Sequence, residues 1–455
     1  LETMALFGAI KKLFQNPASR SAETVCPASA VMPRFRVKVI EFSDNVEGSS
    51  GEIIARQLAT REGIEVSYFD EPFNKSFLNL ESRTLFDLID KGQTILDKTG
   101  ADVLLWGCRE GSRIRLNFQV PSQYEDEELA FVSLIDSLYI PARPEGENYP
   151  DAVINLIYGG LLSSLNAAGA QAKVYKRYLL KKIIDRLSKD NSAKTLSIEY
   201  MPYIMNFLGI IYLSYAFDKS DGRDFKIVKS LFDTAIKHQD LITSPIHLGC
   251  IYNHLGQLYD CATRYMDKNP AAYFKGAIEY YRLAQKYLSK YTYPYDYGYI
   301  SYKLSKLFFN YWRQKEDIQA LRDAVFQLRE AEKIYTYALF PEFWAEIQGQ
   351  LGYLLSLLGS FTKSEDISEL AIASYKNRQK VITERRDPLL WAECSENIGD
   401  IYYRIGRNKA DRAALEEALE HFHDALYIFE NAQLSERIKK LTTDIARTNQ
   451  NLNLL

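Results

Sequence analysis

Five times along this chain a large apolar residue is followed by one with little or no side chain and, three positions further, by another large one. The frames are Leu208-Gly209 before Tyr212, Leu255-Gly256 before Tyr259, Leu304-Ser305 before Phe308, Leu351-Gly352 before Leu355 and Ile398-Gly399 before Tyr402. The small residues stand 47, 49, 47 and 47 positions apart. A glycine inside a helical pattern costs about 1 kcal/mol against alanine. Four glycines and a serine in register therefore need a common cause. Stacked units of one design supply it, if a helix approaches too closely at that position to admit a side chain.

Other marks keep step. A small residue with a large one four further on follows each frame: Val228 and Phe232, Ala277 and Tyr281, Ala324 and Leu328, Ala371 and Tyr375, Ala418 and Phe422. Prolines stand at 245, 294, 341 and 388, and Trp344 and Trp391 lie 47 apart with Tyr297 in register before them. Polar stretches such as QKED, TKSED and RNKAD mark turns, and Asn269-Pro270 is a strong helix start.

A paired-helix unit with leucine-glycine on its first helix, alanine and an aromatic on its second, and proline at the junction is similar to the tetratricopeptide repeat. The resemblance covers residues 196–432 as five repeats of about 47 residues, against about 34 in the family. The aromatic expected three residues before the leucine stands seven before it, at Trp344 and Trp391. Both departures follow if the helices are lengthened by whole turns. The resemblance implies an all-α, right-handed superhelical solenoid. Residues 433–455 read as a C-terminal capping helix with one wet face, which an open solenoid end requires. Upstream, Gly159 precedes Gly209 by 50 residues, so residues 123–195 read as a linker with a degenerate helix pair.

Before the repeats the pattern is mixed. Arg34–Phe42, Ile64–Asp70, Ala101–Gly107 and Ile114–Val120 read as strands, and Ser49–Gly63 and Leu80–Gly100 as helices ended by glycine. The order β-α-β-α-β-β predicts a small α/β domain over 34–122, with a mostly parallel sheet closed by a hairpin. It resembles the amino-terminal domain of TolB-type proteins, on RVKVIEF, IARQLATREGIEV and GADVLLWGCREGSRIRLNFQV, with Gly107 and the basic turn Arg109–Arg113 in place. That family domain is an accessory binding domain, not an enzyme. Residues 1–33, rich in Pro, Ser and Ala after a short apolar start, read as a flexible segment. Any membrane contact falls to residues 4–14, since no apolar run nears the roughly 18 residues a bilayer span needs. The fold class expected is thus α+β multidomain: a small α/β domain, then the tetratricopeptide-like solenoid.

Chemistry is sparse. Five histidines serve 455 residues, and no GxSxG, phosphate loop, GxGxxG or HExxH occurs. A net charge of −3 gives no whole-chain case for nucleic acid. The five cysteines are widely spaced without a CxxC, which fits reduced thiols in the cytoplasm. Gly48, Ser49, Ser50 and Gly51, between a strand and a helix, form a weak candidate for holding a phosphate on free N–H groups. His247, Cys250 and His254 share one helix face and form a weak candidate for zinc, though an ordinary packing role is the simpler reading. No catalytic residue, cofactor or metal is expected.

The resemblance also implies a groove lined by the first helices. Counted from the leucine-glycine frame, its positions are Asn206; then Asn253, Gln257 and Asp260; then Tyr302, Lys306 and Phe309; then Tyr353; then Glu396, Asp400, Tyr403 and Arg404. Amides, tyrosines and both charges suit an extended peptide or a helix. The expected function is a non-catalytic adaptor that holds a protein or peptide in this groove, with the α/β domain as a second binding module. The alternatives are a ligand or nucleotide sensor working through the α/β domain, and a subunit of a homo-oligomer or larger assembly.

Overall fold

A computed structural model describes residues 34–43, 50–73, 82–121, 133–144, 146–165, 167, 169–189, 197–216, 222–265 and 270–455. The N-terminal segment 1–33, the turn residues Gly48, Ser49 and Asn269, and the acidic run 125–128 lie outside them. The described residues form two compact units, one ending at Asp296 and one running from Tyr297 to Leu455.

The first unit opens with β1 (Phe35–Ile40), α1 (Ser50–Leu58), β2 (Ile64–Phe69), α2 (Ser82–Thr99), β3 (Val103–Glu110) and β4 (Arg113–Gln119). That is the order the sequence predicts. A fifth strand, β5 (Ser137–Pro141), follows, and the sheet runs β2-β1-β3-β4-β5. β1 pairs in parallel with β2 and β3, while β3, β4 and β5 are antiparallel neighbours. Alternation sorts the side chains. Val103 and Leu105 of β3 join the core under α1, and Leu104 and Trp106 join the core on the other face. Gly107 lets β4 pass close by, because a Cβ there would lie 2.5 Å from the Arg115 carbonyl oxygen. The hairpin turn places Gly111 at φ 66°, the left-handed region where glycine is at ease.

β5 corrects the expected boundary at 122. Its residue Ser137 pairs with Asn117, and Leu138 and Ile140 enter the same core. SLYIP is short and lacks alternation, so nothing in its pattern announces a strand. Within 123–195 the expected helix pair is present as two packed helices. Helix α3 (Asp151–Ser164) is buried almost all round, packing on the sheet and on α4 (Ala170–Lys189) and α5 (Met201–Ala216). One core runs from Phe35 to Ala262. It is completed by α6 (Gly222–Lys237), α7 (Pro245–Tyr265) and α8 (Pro270–Tyr287).

Helix α9 (Pro294–Lys315) leads into the second unit, with α10 (Ile318–Glu332), α11 (Pro341–Thr362), α12 (Glu365–Gln379), α13 (Pro388–Lys409), α14 (Arg412–Asn431) and α15 (Ser435–Asn453). The architecture is a five-stranded sheet domain followed by a long run of helices packed consecutively, in the manner of a helical repeat solenoid. The first helices α9, α11 and α13 have 22 residues each, about 33 Å, so the long period lies in longer helices as expected. Each starts at its register proline, where a missing N–H costs nothing. Among the described residues no helix is long and apolar enough to cross a membrane.

The register glycines have one environment. A Cβ on Gly209 would lie 2.4 Å from the Phe232 ring, on Gly256 2.5 Å from Tyr281, on Gly352 2.9 Å from Tyr375 and on Gly399 2.6 Å from Phe422. In these four repeats the first mark is thus the seat of the second. Even the degenerate pair keeps it loosely, with Gly159 set against Ile211 and Ile183. The turns repeat too: Glu316, Lys363 and Ala410, 47 apart, all have φ near +55° without being glycine.

Two outcomes follow. Gly399→Leu, driven into the Phe422 ring, should lose roughly 1–3 kcal/mol by overpacking, read from urea unfolding. Ala410→Gly, which relieves a left-handed alanine, should gain about 0.5–1 kcal/mol in the same assay.

Candidate functional site

The lengthened first helices divide the expected groove positions into two sets. Asn206, Asn253, Gln257 and Asp260 in the first unit are buried, as are Tyr302 and Glu396 in the second. They are not surface residues, which corrects the expectation. Tyr302 is met by the next first helix, where Gln350 donates to its hydroxyl at 2.8 Å. Asp260 faces Arg264 on its own helix at 3.6 Å. Glu396 is closed over by α15, whose Arg437 and Lys440 reach its two oxygens at 2.7 and 2.5 Å. Arg437 also holds Glu393 at 2.8 Å, and Lys440 holds Asp400 at 3.3 Å. The Asn451 amide donates to the Tyr403 hydroxyl at 3.2 Å. The final helix therefore takes the place of a further first helix, Ser435 standing 47 after Pro388. Its outward Thr442, Thr443, Ala446 and Asn449 stay exposed.

Lys306, Phe309, Tyr353, Asp400, Tyr403 and Arg404 keep solvent contact, and around them lies a patch the sequence reading did not name. Phe309 stacks on Trp312 at 5.5 Å and meets Tyr353 edge-on at 5.6 Å, and Trp312 meets Phe361 at 5.7 Å. Tyr353 and Phe361 remain 47% and 57% exposed. Arg313 lies over the Phe309 ring and Arg407 over the Tyr403 ring. Arg404 donates to Ser356 Oγ at 2.8 Å, joining α13 to α11. Burial and the nearby Arg407 pull the Arg404 guanidinium below its usual range, against the Asp400 carboxylate. Trp312 and Phe361 fall off the repeat frame, so periodicity alone does not single them out.

In the first unit, His247, Cys250 and His254 lie on one face of α7 as predicted, but they do not assemble a metal site. Among the described residues no group of three or more His, Cys, Asp or Glu could hold a metal ion. His254 is fully buried, with Nε2 3.1 Å from Asp136 Oδ1 and its ring stacked on Phe232. His247 meets Tyr139 and Tyr203 edge-on. The Cys250 thiol hydrogen-bonds Asp136, and burial pushes its pKa up. Asp136 also accepts the Ser133 N–H at 2.9 Å, and the Ser133 hydroxyl donates to Asp296. Two buried carboxylates thus share one serine. Contacts across 118 and 163 residues bring this cluster together, which no local pattern announces.

The described half of the glycine loop is already served. The Ser50 hydroxyl donates to the Ala142 carbonyl. Glu41 places one oxygen 3.2 Å from the Gly51 N–H and 2.8 Å from the Phe42 N–H, and its other oxygen 2.6 Å from the Tyr68 hydroxyl. An anion of the chain itself sits at this helix start, where the dipole favours one.

Neither a scan of protein-family models nor a search of curated proteins finds a match to this chain.

The buried cluster has a pH signature. Burial first, and the Asp136 charge after it, push the Asp296 carboxyl up to about 7 from 3.8, although the Ser133 bond opposes them. Its stabilising effect is therefore complete below about pH 4 and is lost as pH rises through about 7. Burial pulls His247 down to about 4, so its effect is present above 6.5 and lost as pH falls through about 4. The two oppose each other between pH 4 and 6.5, and Asp296 alone acts near 7. The advantage of Asp296→Asn over the parent should therefore grow from about pH 4 to about 7 and level off above that, read as the difference in urea midpoints. A difference that does not change with pH would contradict the assignment.

Proposed function

We propose that the chain is a non-catalytic adaptor. In this reading the helices are a tetratricopeptide-like array that holds a protein or peptide segment across the first helices α9, α11 and α13. The sheet domain, similar to the TolB amino-terminal domain, serves as a second binding module. The observation that carries the reading is the contiguous ring strip Phe309, Trp312, Tyr353 and Phe361, with the last two exposed and the first two half-buried, since solvent-facing ring clusters on a stable scaffold mark interaction sites. The displaced carboxyl, imidazole and thiol of the buried cluster support the non-catalytic part. Asp296, His247 and Cys250 are sealed inside the first unit, out of reach of a substrate. The four described cysteines are buried and free, which suits a reducing cytoplasm.

The test is affinity capture with mass spectrometry, using the parent and a Tyr353→Ser, Phe361→Ser variant whose circular dichroism matches it. At least one captured protein should be lost with the variant, and once purified it should bind the parent at least ten times more tightly. A folded variant that keeps every partner overturns the reading.

A further inference from the structure

The partner's chemistry can be narrowed, on the premise of the adaptor reading. Charges on the exposed part of α9, α11 and α13 do not balance locally. Among the described residues, Arg313, Arg404 and Arg407 have no carboxylate within ion-pair distance: Arg313 and Arg407 lie over rings, and Arg404 bonds a serine. The acids of the same helices are engaged by the protein. Glu396 and Asp400 are held by α15, Glu393 by Arg437, and Glu346 by Arg378 at 3.6 Å with a bond from Gln350. What remains for a ligand is a cluster of rings on α9 and α11 with positive charge on either side.

We propose that this surface binds a short extended peptide that sets an aromatic or large aliphatic side chain on the rings of Tyr353 and Phe361 and a carboxylate on Arg404 and Arg407. Neighbouring helix axes lie about 8–10 Å apart. An extended chain advances about 3.3 Å per residue. The acidic residue therefore stands about three positions from the apolar one. Two arginines at i and i+3 offer the planar donor fork that carboxylates accept in pairs. A partly buried arginine beside a second one is an arrangement that an incoming anion relieves, and Arg404 is so placed. Nucleic acid fits the surface less well. Its backbone needs an unbroken basic track, whereas Asp400 stands on the same face of α13 and rings separate Arg313 from the other two.

The experiment titrates the full chain with an acetylated, amidated octapeptide carrying Phe-Leu and, three positions on, Glu-Asp. Calorimetry is run at 50 and 300 mM salt, roughly spanning the screening range of surface charges. The comparison ligands are the same peptide with Gln-Asn, one with Lys-Lys, and a uridine octanucleotide. The acidic peptide should bind at least tenfold more tightly than the amide peptide at low salt and weaken at high salt. Arg404→Ala with Arg407→Ala should remove that tenfold preference. Arg407→Glu, at an exposed site where folding is not at stake, should remove it alone. Equal binding of the acidic and amide peptides, or an unchanged preference in Arg407→Glu, overturns the proposal. So does oligouridine binding that is lost in the arginine variants while the acidic peptide does not bind. Failure here can be told from failure of the adaptor reading. If the acidic peptide does not bind yet the Tyr353→Ser, Phe361→Ser variant still loses a captured partner, the adaptor stands and only the acidic assignment falls.

Discussion

The contact between a missing side chain and an aromatic ring organises the helical part of this protein. Where Gly209, Gly256, Gly352 and Gly399 stand, the rings of Phe232, Tyr281, Tyr375 and Phe422 lie where a Cβ would be. Each glycine weakens its own helix by about 1 kcal/mol. A fully buried ring offsets this, since burying a Phe-sized side chain is worth about 1.5–3 kcal/mol. The close approach also sets the depth at which the second helix rests, and hence which residues of the first remain for its neighbour. The register hydrogen bonds depend on that spacing. Gln350 to Tyr302, Arg404 to Ser356 and Asn451 to Tyr403 each join first helices 48 residues apart.

Helix α15 is held on α13 by electrostatics as much as by packing. α15 buries few apolar groups, chiefly Leu441, yet places Arg437 and Lys440 on the nearly closed Glu396. A buried carboxylate left unpaired is expensive, so these two cations make α15 a required neighbour of α13. Their second effect is on the surface. By engaging Glu393, Glu396 and Asp400, they leave Arg404 and Arg407 as the uncompensated charges of α13. In the first unit, α3 and α5 are apolar on nearly every side because sheet and helices enclose them together. The sheet and helices α3 to α7 therefore share one core.

Much of the fold was legible in the residues. The small-residue frame, the prolines and the turn segments located the repeats, because side chains that meet between a helix and its hairpin partner recur at a fixed interval. The first four strands and two helices followed from alternation and glycine stops. β5 was not legible: five residues without alternation carry no strand signal, and only the edge of β4 makes them one. The candidate site was half legible. Counting from the frame found Phe309, Tyr353, Tyr403 and Arg404, but it also returned Asn253, Tyr302 and Glu396, which neighbouring helices cover. Periodicity identifies the face a residue occupies on its own helix, not what lies over that face.

The same distinction holds for the chemistry. Residue order alone established that His247, Cys250 and His254 share a helix face, and that the glycine loop precedes a helix. Tertiary structure decided what each face meets. Asp136, 118 residues from His254, is its partner, and Glu41 accepts from the Gly51 N–H at the helix start. Local periodicity determined the repeat, its length and its register, because those depend on contacts within one helical hairpin. Burial, pairing and the charge left for a ligand were decided only by the fold, because they depend on which distant groups arrive.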